Sequence, residues 1–252
     1  MYFSHMISIA ILGFGNVGHH LYRAFRKRPV KVLQVFSPSL KVSEEAGTQF
    51  INDVSQLEKA DIYIVAIKDN AIPSFTDSLP FENRLVVHTS GTSALNSISE
   101  KQRRGVFYPL QTFSKEAEVN WKTIPICIES EHKEDLPLLQ ELGNILSENV
   151  VEISTEKRQE LHLGAVWVNN FSNHLFHLAE DFLKEAHVDF NLLRPLIMET
   201  ARKLEAMSPS EAQTGPAKRH DTQTMEAHLK LLKDPKHKEI YKLLSKSIQS
   251  KF

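Results

Sequence analysis

A chain of 252 residues that is 41% hydrophobic carries enough apolar material for one large or two modest cores. Lys and Arg number 30 against 31 Asp and Glu, a net charge of −1, so nothing points to nucleic acid or to an anionic membrane surface as a partner. The single cysteine, Cys127, excludes an internal disulfide and suits a reducing cytoplasm; no apolar run is long enough to span a bilayer, and no signal-peptide pattern is present.

Met1-Tyr2-Phe3-Ser4-His5 reads as a cloning remnant, because Ser-His-Met is a common scar, and Met6 is the expected translation start. From Ile7 to Leu12 the chain is almost entirely apolar and branched, as a strand buried on both faces should be. It runs directly into Gly13-Phe14-Gly15-Asn16-Val17-Gly18, which fits G-x-G-x-x-G and opens a helix over 16–28. Gly13 permits the tight turn, Gly15 lets a pyrophosphate approach the backbone, and Gly18 lets the helix pack close to the sheet. The free N–H groups and positive end of that helix then face the phosphates. Between a buried strand and a helix, this stretch predicts a dinucleotide site.

A second strand spans 30–36. An NAD-preferring site usually places Asp or Glu at its end to bind the ribose 2′-hydroxyl. Here Ser37-Pro38-Ser39 follows, with Lys41 behind, and hydroxyls beside a cation suit a 2′-phosphate better. NADP is therefore favoured over NAD as the cofactor; alternatively the stretch is only a turn, with Ser43 as N-cap of a short helix over 42–48. A brief strand at Phe50-Ile51, a buried strand over 61–67, a helix from Lys68 toward Ser78 and a strand over 85–88 continue the alternation. Strands alternating with short helices predict an α/β fold, a doubly wound parallel sheet. Ligands in such sheets sit beyond the carboxyl ends of the strands, which singles out Ala66-Ile67-Lys68-Asp69 and His88-Thr89-Ser90-Gly91 as neighbours of cofactor or substrate.

A strand over 105–108 leads into Pro109-Leu110-Gln111-Thr112-Phe113-Ser114, a loop that reads equally as a substrate wall or as a surface loop with a hydrophobic anchor. A strand over 123–129, a helix over 132–146 and a last strand over 150–153 close the first half. From Thr155 the period changes. Leu161, Ala165, Val168, Phe171, Leu175, Leu178 and Phe182 recur at three- and four-residue steps, predicting one long amphipathic helix to Ala186. Further helices over 190–207, 222–233 and 238–250 complete an all-α half. A helix of that length cannot bury its stripe on a small domain alone, and implies a helical dimer interface or an extended bundle.

His162, Val166, Asn169, Asn170, Asn173, His174 and His177 share one polar face of the long helix. It either faces the cleft, where Asn170 and His174 would supply hydrogen bonds or a proton, or is a solvated or interfacial face. His174 and His177 lack a carboxylate partner on that face, so no metal site is expected. Thr214-Gly215-Pro216-Ala217-Lys218-Arg219-His220-Asp221-Thr222 is an N-capping turn that also suits an anion such as a carboxylate.

In these residues the chain resembles the predicted NADP oxidoreductases that join a Rossmann-like domain to a C-terminal helical domain of unknown function. More distantly it is similar to pyrroline-5-carboxylate reductase and the deazaflavin-dependent NADP oxidoreductases. The likeness runs nearly end to end and is carried by residues 13–18, 88–91, 108–113, 169–173 and 215–221. It implies a Rossmann-like domain over 6–153, a helical substrate and dimerisation domain over 154–252, a homodimer with interlocked helical domains, and a cofactor cleft between domains. It further implies that the 214–222 loop contacts a substrate carboxylate and that the Tyr108–Gln111 loop lies near the nicotinamide. Tyr108 stands where the group often has His. Val166 stands where the related hydroxyacid dehydrogenases place a catalytic Lys, one turn before the Asn matched by Asn170, which argues against alcohol oxidation.

The reading that results is an NADP-dependent reductase of a small imine or carbonyl compound. His88, Tyr108 and His174 are candidate proton donors. Ser90, Gly91, Pro109, Gln111 and Asn170 would orient the substrate, and Lys218 or Arg219 would hold an anionic tail. The alternative is a dimeric NADP(H)-binding sensor or scaffold without turnover.

Overall fold

The computed structural model describes residues 6–252; the reading of Met1–His5 as a cloning remnant lies outside them. The chain forms two compact units that part between Asn169 and Asn170.

The first unit is built on a nine-stranded sheet in the order β3-β4-β2-β1-β5-β6-β7-β8-β9. The strands are β1 (Ser8–Leu12), β2 (Lys31–Phe36), β3 (Ser43–Glu45), β4 (Thr48–Ile51), β5 (Ile62–Val65), β6 (Leu85–His88), β7 (Arg103–Pro109), β8 (Ile126–Ser130) and β9 (Val150–Glu152). The six strands β4-β2-β1-β5-β6-β7 are mutually parallel. They follow the doubly wound dinucleotide-binding order, in which the direction of winding reverses between β1 and β5. β1 alternates as the apolar run predicts: Ile9 and Ile11 join the core on one face, Ala10 and Leu12 the core on the other. Helices α1 (Asn16–Phe25), α2 (Ile72–Asp77) and α3 (Leu136–Leu146) flank the sheet. α1 packs through Gly18, Leu21, Tyr22 and Phe25, one helical face.

The fold is α/β as the alternation predicts, with two departures from an all-parallel sheet. β7 and β8 pair antiparallel. The segment expected to be a helix over 42–48 is instead the β3–β4 hairpin, Glu45 pairing with Thr48 across Ala46 and Gly47. Both turn residues adopt positive φ, 50° and 78°, the two-residue turn whose twist matches that of paired strands. Ser43 accordingly caps nothing; it lies in β3. The strand expected from Thr123 begins at Ile126, after a 3₁₀ turn over Trp121–Thr123.

α4 (Thr155–Ala165) follows β9 and is capped by Ser154, whose side chain accepts from the Lys157 amide. The single long helix expected to Ala186 is broken by a π-helical stretch, Val166–Phe171, before α5 (Ser172–Glu185). The two units part within that stretch.

The second unit continues with α6 (Arg194–Arg202), the short α7 (Pro209–Ala212), α8 (Thr222–Leu231) and α9 (Pro235–Gln249). α6 occupies the middle of the helix expected over 190–207, with 3₁₀ turns on either side. α9 starts three residues earlier than expected, because Asp234 caps it and Pro235 takes its first turn. Among its described residues, Ala217 is the only buried one, while Leu192, Leu196, Met198 and Leu243 are each more than 60% exposed. No helix among the described residues is long and apolar enough to cross a membrane.

Candidate functional site

The carboxyl ends of β1, β2 and β5 meet around a cavity of about 980 Å³. Its floor is the turn from β1 into α1. Gly13 has φ +111°, and a β-carbon there would collide with the carbonyl oxygen of Ala66. A β-carbon on Gly18 would strike the carbonyl oxygen of Gly13. Gly15 is the opposite case, with open space where its β-carbon would go. Gly15 is also the N-cap of α1, with no side-chain cap and no acidic residue in the first turn. The first amides of the helix therefore face the cavity without an internal acceptor. A turn that bars side chains at two glycines and opens at the third fits a pyrophosphate on the helix N-terminus. Phe14 is held edge-on against Tyr22 and Phe50. Val17, Ala66, Ile67 and Lys68 line the cavity, with Asp69 before α2, Ser74 and Phe75 on it and Ser78 just after it.

At the end of β2, Ser37 and Pro38 line the cavity. Ser37 to Leu40 is a turn closed by the Leu40 amide on the Ser37 carbonyl, and the Ser37 and Ser39 hydroxyls lie 3.2 Å apart. Ser39 and Lys41 are exposed beside this rim.

The loop after β6 is wired internally. Ser90 donates its hydroxyl to Asp69 (2.7 Å) and accepts from the amides of Thr92 and Ser93, so its side chain is fully engaged. Thr92 donates to the same Asp69 oxygen. His88 is buried, accepts the Ser90 amide at Nδ1 and faces the Ala94 carbonyl with Nε2. Burial, followed by the nearby Arg158 charge, pushes its pKa down to about 4. A histidine kept neutral with both nitrogens engaged holds a loop in place and has no proton free for a substrate.

Two side chains that the sequence reading did not nominate organise this loop. Arg158, on α4, is fully buried; its Nη1 donates to the carbonyls of Ser90, Gly91 and Ser93, and its Nη2 to Glu129. One turn later His162 places Nδ1 at 3.2 Å from the Tyr108 hydroxyl. Gly91 is required there, because its β-carbon would run into His162 Nδ1 and the Tyr108 ring. The signal available in the sequence was the i, i+4 spacing of Arg158 and His162 on one helical face. Tyr108 is buried, and burial pushes its hydroxyl up to about 12.

Pro109 is buried at the end of β7, and the loop beyond it is docked on α1. Asn16 donates its side-chain amide to the Phe113 carbonyl, His20 meets the Ser114 carbonyl, and the Phe113 ring packs on His20 and Trp121. Gln111 is exposed and accepts the Thr112 amide. In the second unit, Asn170, His174 and Arg219 are exposed, and the Lys218 ammonium lies 4.6 Å from the Phe252 ring centre. Asp221 is the cap of α8, accepting from the Thr224 amide. Among the described residues no three His, Cys, Asp or Glu side chains converge as a metal site would need.

Residues 8–91 match the family described as NADP oxidoreductase, coenzyme F420-dependent, and residues 124–248 match a domain of unknown function, DUF2520. A candidate NADP oxidoreductase from Bacteroides fragilis is 36% identical, with 97% of this chain and 98% of that one aligned and a TM-score of 0.86. The chain belongs to this two-domain oxidoreductase family. A Thermotoga maritima protein of the same fold is 20% identical over 96% and 97% of the two chains, at a TM-score of 0.75. A 1-pyrroline-5-carboxylate reductase from Streptococcus pyogenes shares the fold at 12% identity, 97% and 98% coverage and a TM-score of 0.63. Among curated proteins none matches the chain. The fold is that of an NAD(P)-binding oxidoreductase, and family membership places the glycine turn of residues 13–18 within the matched N-terminal domain.

Proposed function

We propose that the chain is an NADP-dependent reductase of a small imine or carbonyl compound. The observation that carries this reading is the open space at Gly15 over the uncapped start of α1, at the point where the sheet reverses its winding. Gly13 to Gly18 would cradle the pyrophosphate, and Ala66, Ile67 and Lys68 would flank the nicotinamide half. Ser37 and Ser39 would meet the 2′-phosphate, a role supported by two hydroxyls 3.2 Å apart and no carboxylate in that turn. When bound, the reduced nicotinamide supplies the hydride; the chain supplies position, electrostatics and a proton. Likeness of fold to a pyrroline-5-carboxylate reductase supports an imine as the substrate class.

Substrate would lie against the Ser90-Gly91 and Pro109–Gln111 loops, which Arg158 and Asn16 hold rigid. Asn170 and His174 stay proposed for the substrate site from the polar face of their helix, to supply hydrogen bonds or a proton, and Lys218 or Arg219 to hold an anionic tail; Arg219 is preferred of the two, since the Lys218 ammonium is engaged with the Phe252 ring. The helical unit would complete itself as a homodimer. Its near lack of buried residues supports this, because helices that leave large apolar residues exposed need a partner face.

Titration with NADPH and NADH, followed by nicotinamide fluorescence, tests the reading. Tight NADPH binding and consumption of NADPH with small imines or ketoacids are expected. Absence of binding to either dinucleotide overturns it.

A further inference from the structure

Two histidines stand at the carboxyl edge of the sheet, and the structure treats them oppositely. His88 is sealed, with both nitrogens engaged by its own loop. His162 is half-buried and engages one nitrogen only: Nδ1 meets the Tyr108 hydroxyl, while none of the described residues bonds Nε2. Its ring is set over the Ser90–Ser93 loop by a rigid frame. Arg158, one turn before it, ties α4 to three carbonyls of that loop and to Glu129. Gly91 leaves the space that the ring fills.

We propose that His162 is the acid of the reduction, delivering the proton from Nε2 to the substrate's nitrogen or oxygen, with Tyr108 as its positioning residue. The proposal rests on the reductase reading above. In the acid form Nδ1–H donates to the Tyr108 oxygen and Nε2–H donates to the substrate. As the substrate carbon accepts the hydride, the π pair of its C=N or C=O bond moves to nitrogen or oxygen and bonds the Nε2 proton. Neutral imidazole is left, with Nδ1–H still on Tyr108, and solvent restores the proton.

Tyr108 suits this task because a phenol oxygen can accept from Nδ1–H both before and after the proton leaves Nε2, holding the ring in one tautomer. Burial keeps Tyr108 a phenol, with Cys127 on β8 pushing the same way and Asp69 adding to it against Arg158. Tyr108 from β7 is thus the titrating group that meets His162, and Cys127 on β8, Asp69 after β5 and Arg158 on the His162 helix act on Tyr108 in turn. An acid is required by a carbonyl and dispensable for an iminium ion, so this assignment favours substrates that arrive unprotonated.

The test uses the full chain with NADPH, pyruvate as a carbonyl probe and 1-pyrroline as an imine probe, together with ¹⁵N-histidine NMR of the ring nitrogens. In H162Q, NADPH affinity should stay within about twofold, while kcat falls on the order of 100-fold and the fall in rate at high pH disappears. In Y108F the fall should remain and kcat should drop less, since the acid is kept and only its positioning is lost. By NMR, Y108F should move the His162 Nδ1 resonance, because that nitrogen loses its hydrogen-bond partner. Unchanged kcat and pH profile in H162Q, or an identical His162 Nδ1 resonance in the parent and Y108F, overturns the assignment alone. Failure of the parent protein to bind NADPH overturns the reductase reading itself, and the two failures are thus told apart.

Discussion

The carbonyl oxygen of Ala66 stands where a β-carbon on Gly13 would have to go. That one contact ties the turn after β1 to the end of β5 and fixes the mouth of the cavity. The three glycines of the turn consequently separate stability from binding. Gly13→Ala meets backbone at positive φ and should cost more than about 2 kcal/mol in urea unfolding. Gly18→Ala presses on the Gly13 carbonyl and should cost about 1–3 kcal/mol. Gly15→Ala meets nothing and should cost less than about 1 kcal/mol, yet weaken NADPH binding by at least about tenfold by placing a methyl group against the pyrophosphate. Equal loss of binding and stability at Gly15 would show that the turn has no ligand.

Arg158 is the chain's most deeply buried cation, and Glu129 is its only acidic partner among the described residues. Removing the guanidinium leaves three loop carbonyls without that donor and leaves the Glu129 carboxylate only the Thr155 amide and hydroxyl, with no cation beside it. Arg158→Met should destabilise the protein by about 3–5 kcal/mol in denaturant unfolding, far beyond loss of a surface ion pair. The Ser90–Ser93 amides should exchange faster with solvent in the same variant, because the loop loses its tether.

His88 gives the protein a pH dependence whose sign follows from its burial. Its folded pKa, about 4, lies below the ordinary 6.5, so the unfolded chain binds a proton that the folded chain refuses. Stability from this group is complete above about pH 7 and is lost as pH falls toward 4, by on the order of 3 kcal/mol. In His88→Gln the fall in stability between pH 7 and 4.5 should be correspondingly shallower, measured by urea midpoints across that range. A parallel pair of curves would show that His88 is not the group being charged.

The helical unit should be a dimer in solution, and its exposed apolar residues give the handle. Leu196 and Leu243, 62% and 69% exposed, sit on two different helices. Leu196→Glu and Leu243→Glu together should shift the sedimentation coefficient from dimer to monomer and lower the thermal midpoint, since burial of each leucine is worth about 2 kcal/mol. A parent protein that sediments as a monomer at micromolar concentration would contradict the dimer outright.

What the sequence discloses depends on whether the deciding force is local. The glycine turn is legible because positive φ and close backbone approach are demands of single residues, and the buried strands because both faces of the sheet are covered. Residues 42–48 mislead: Glu44, Glu45 and Ala46 are good helix formers, but the positive φ of Ala46 and Gly47 and pairing to β2 through β4 prevail. The π-helical stretch is hidden because its side chains keep the helical pattern while the backbone bonds slip. Arg158 reads as a solvated charge, and its carbonyl partners lie 65 to 68 positions earlier, beyond any periodicity. His162 was visible on the polar face, but nothing in the spacing marks it apart from His174; the Tyr108 hydroxyl does.

Cofactor choice should turn on Ser37. It lines the cavity at the end of β2, where an acidic residue would bind a free ribose hydroxyl and repel a 2′-phosphate. Ser37→Asp places a carboxylate there without disturbing the turn, whose closing bond is between the Leu40 amide and the Ser37 carbonyl. NADPH affinity should fall by about tenfold or more through like-charge repulsion, and NADH affinity should hold or rise. The repulsion is screened by salt, so the NADPH deficit should shrink between low and high ionic strength while the NADH constant stays level. Comparable loss of both dinucleotides would mean that Ser37 supports the fold of the rim instead of reading the phosphate. Unchanged affinity for both would place the adenosine ribose away from this turn and remove the structural ground for preferring NADP.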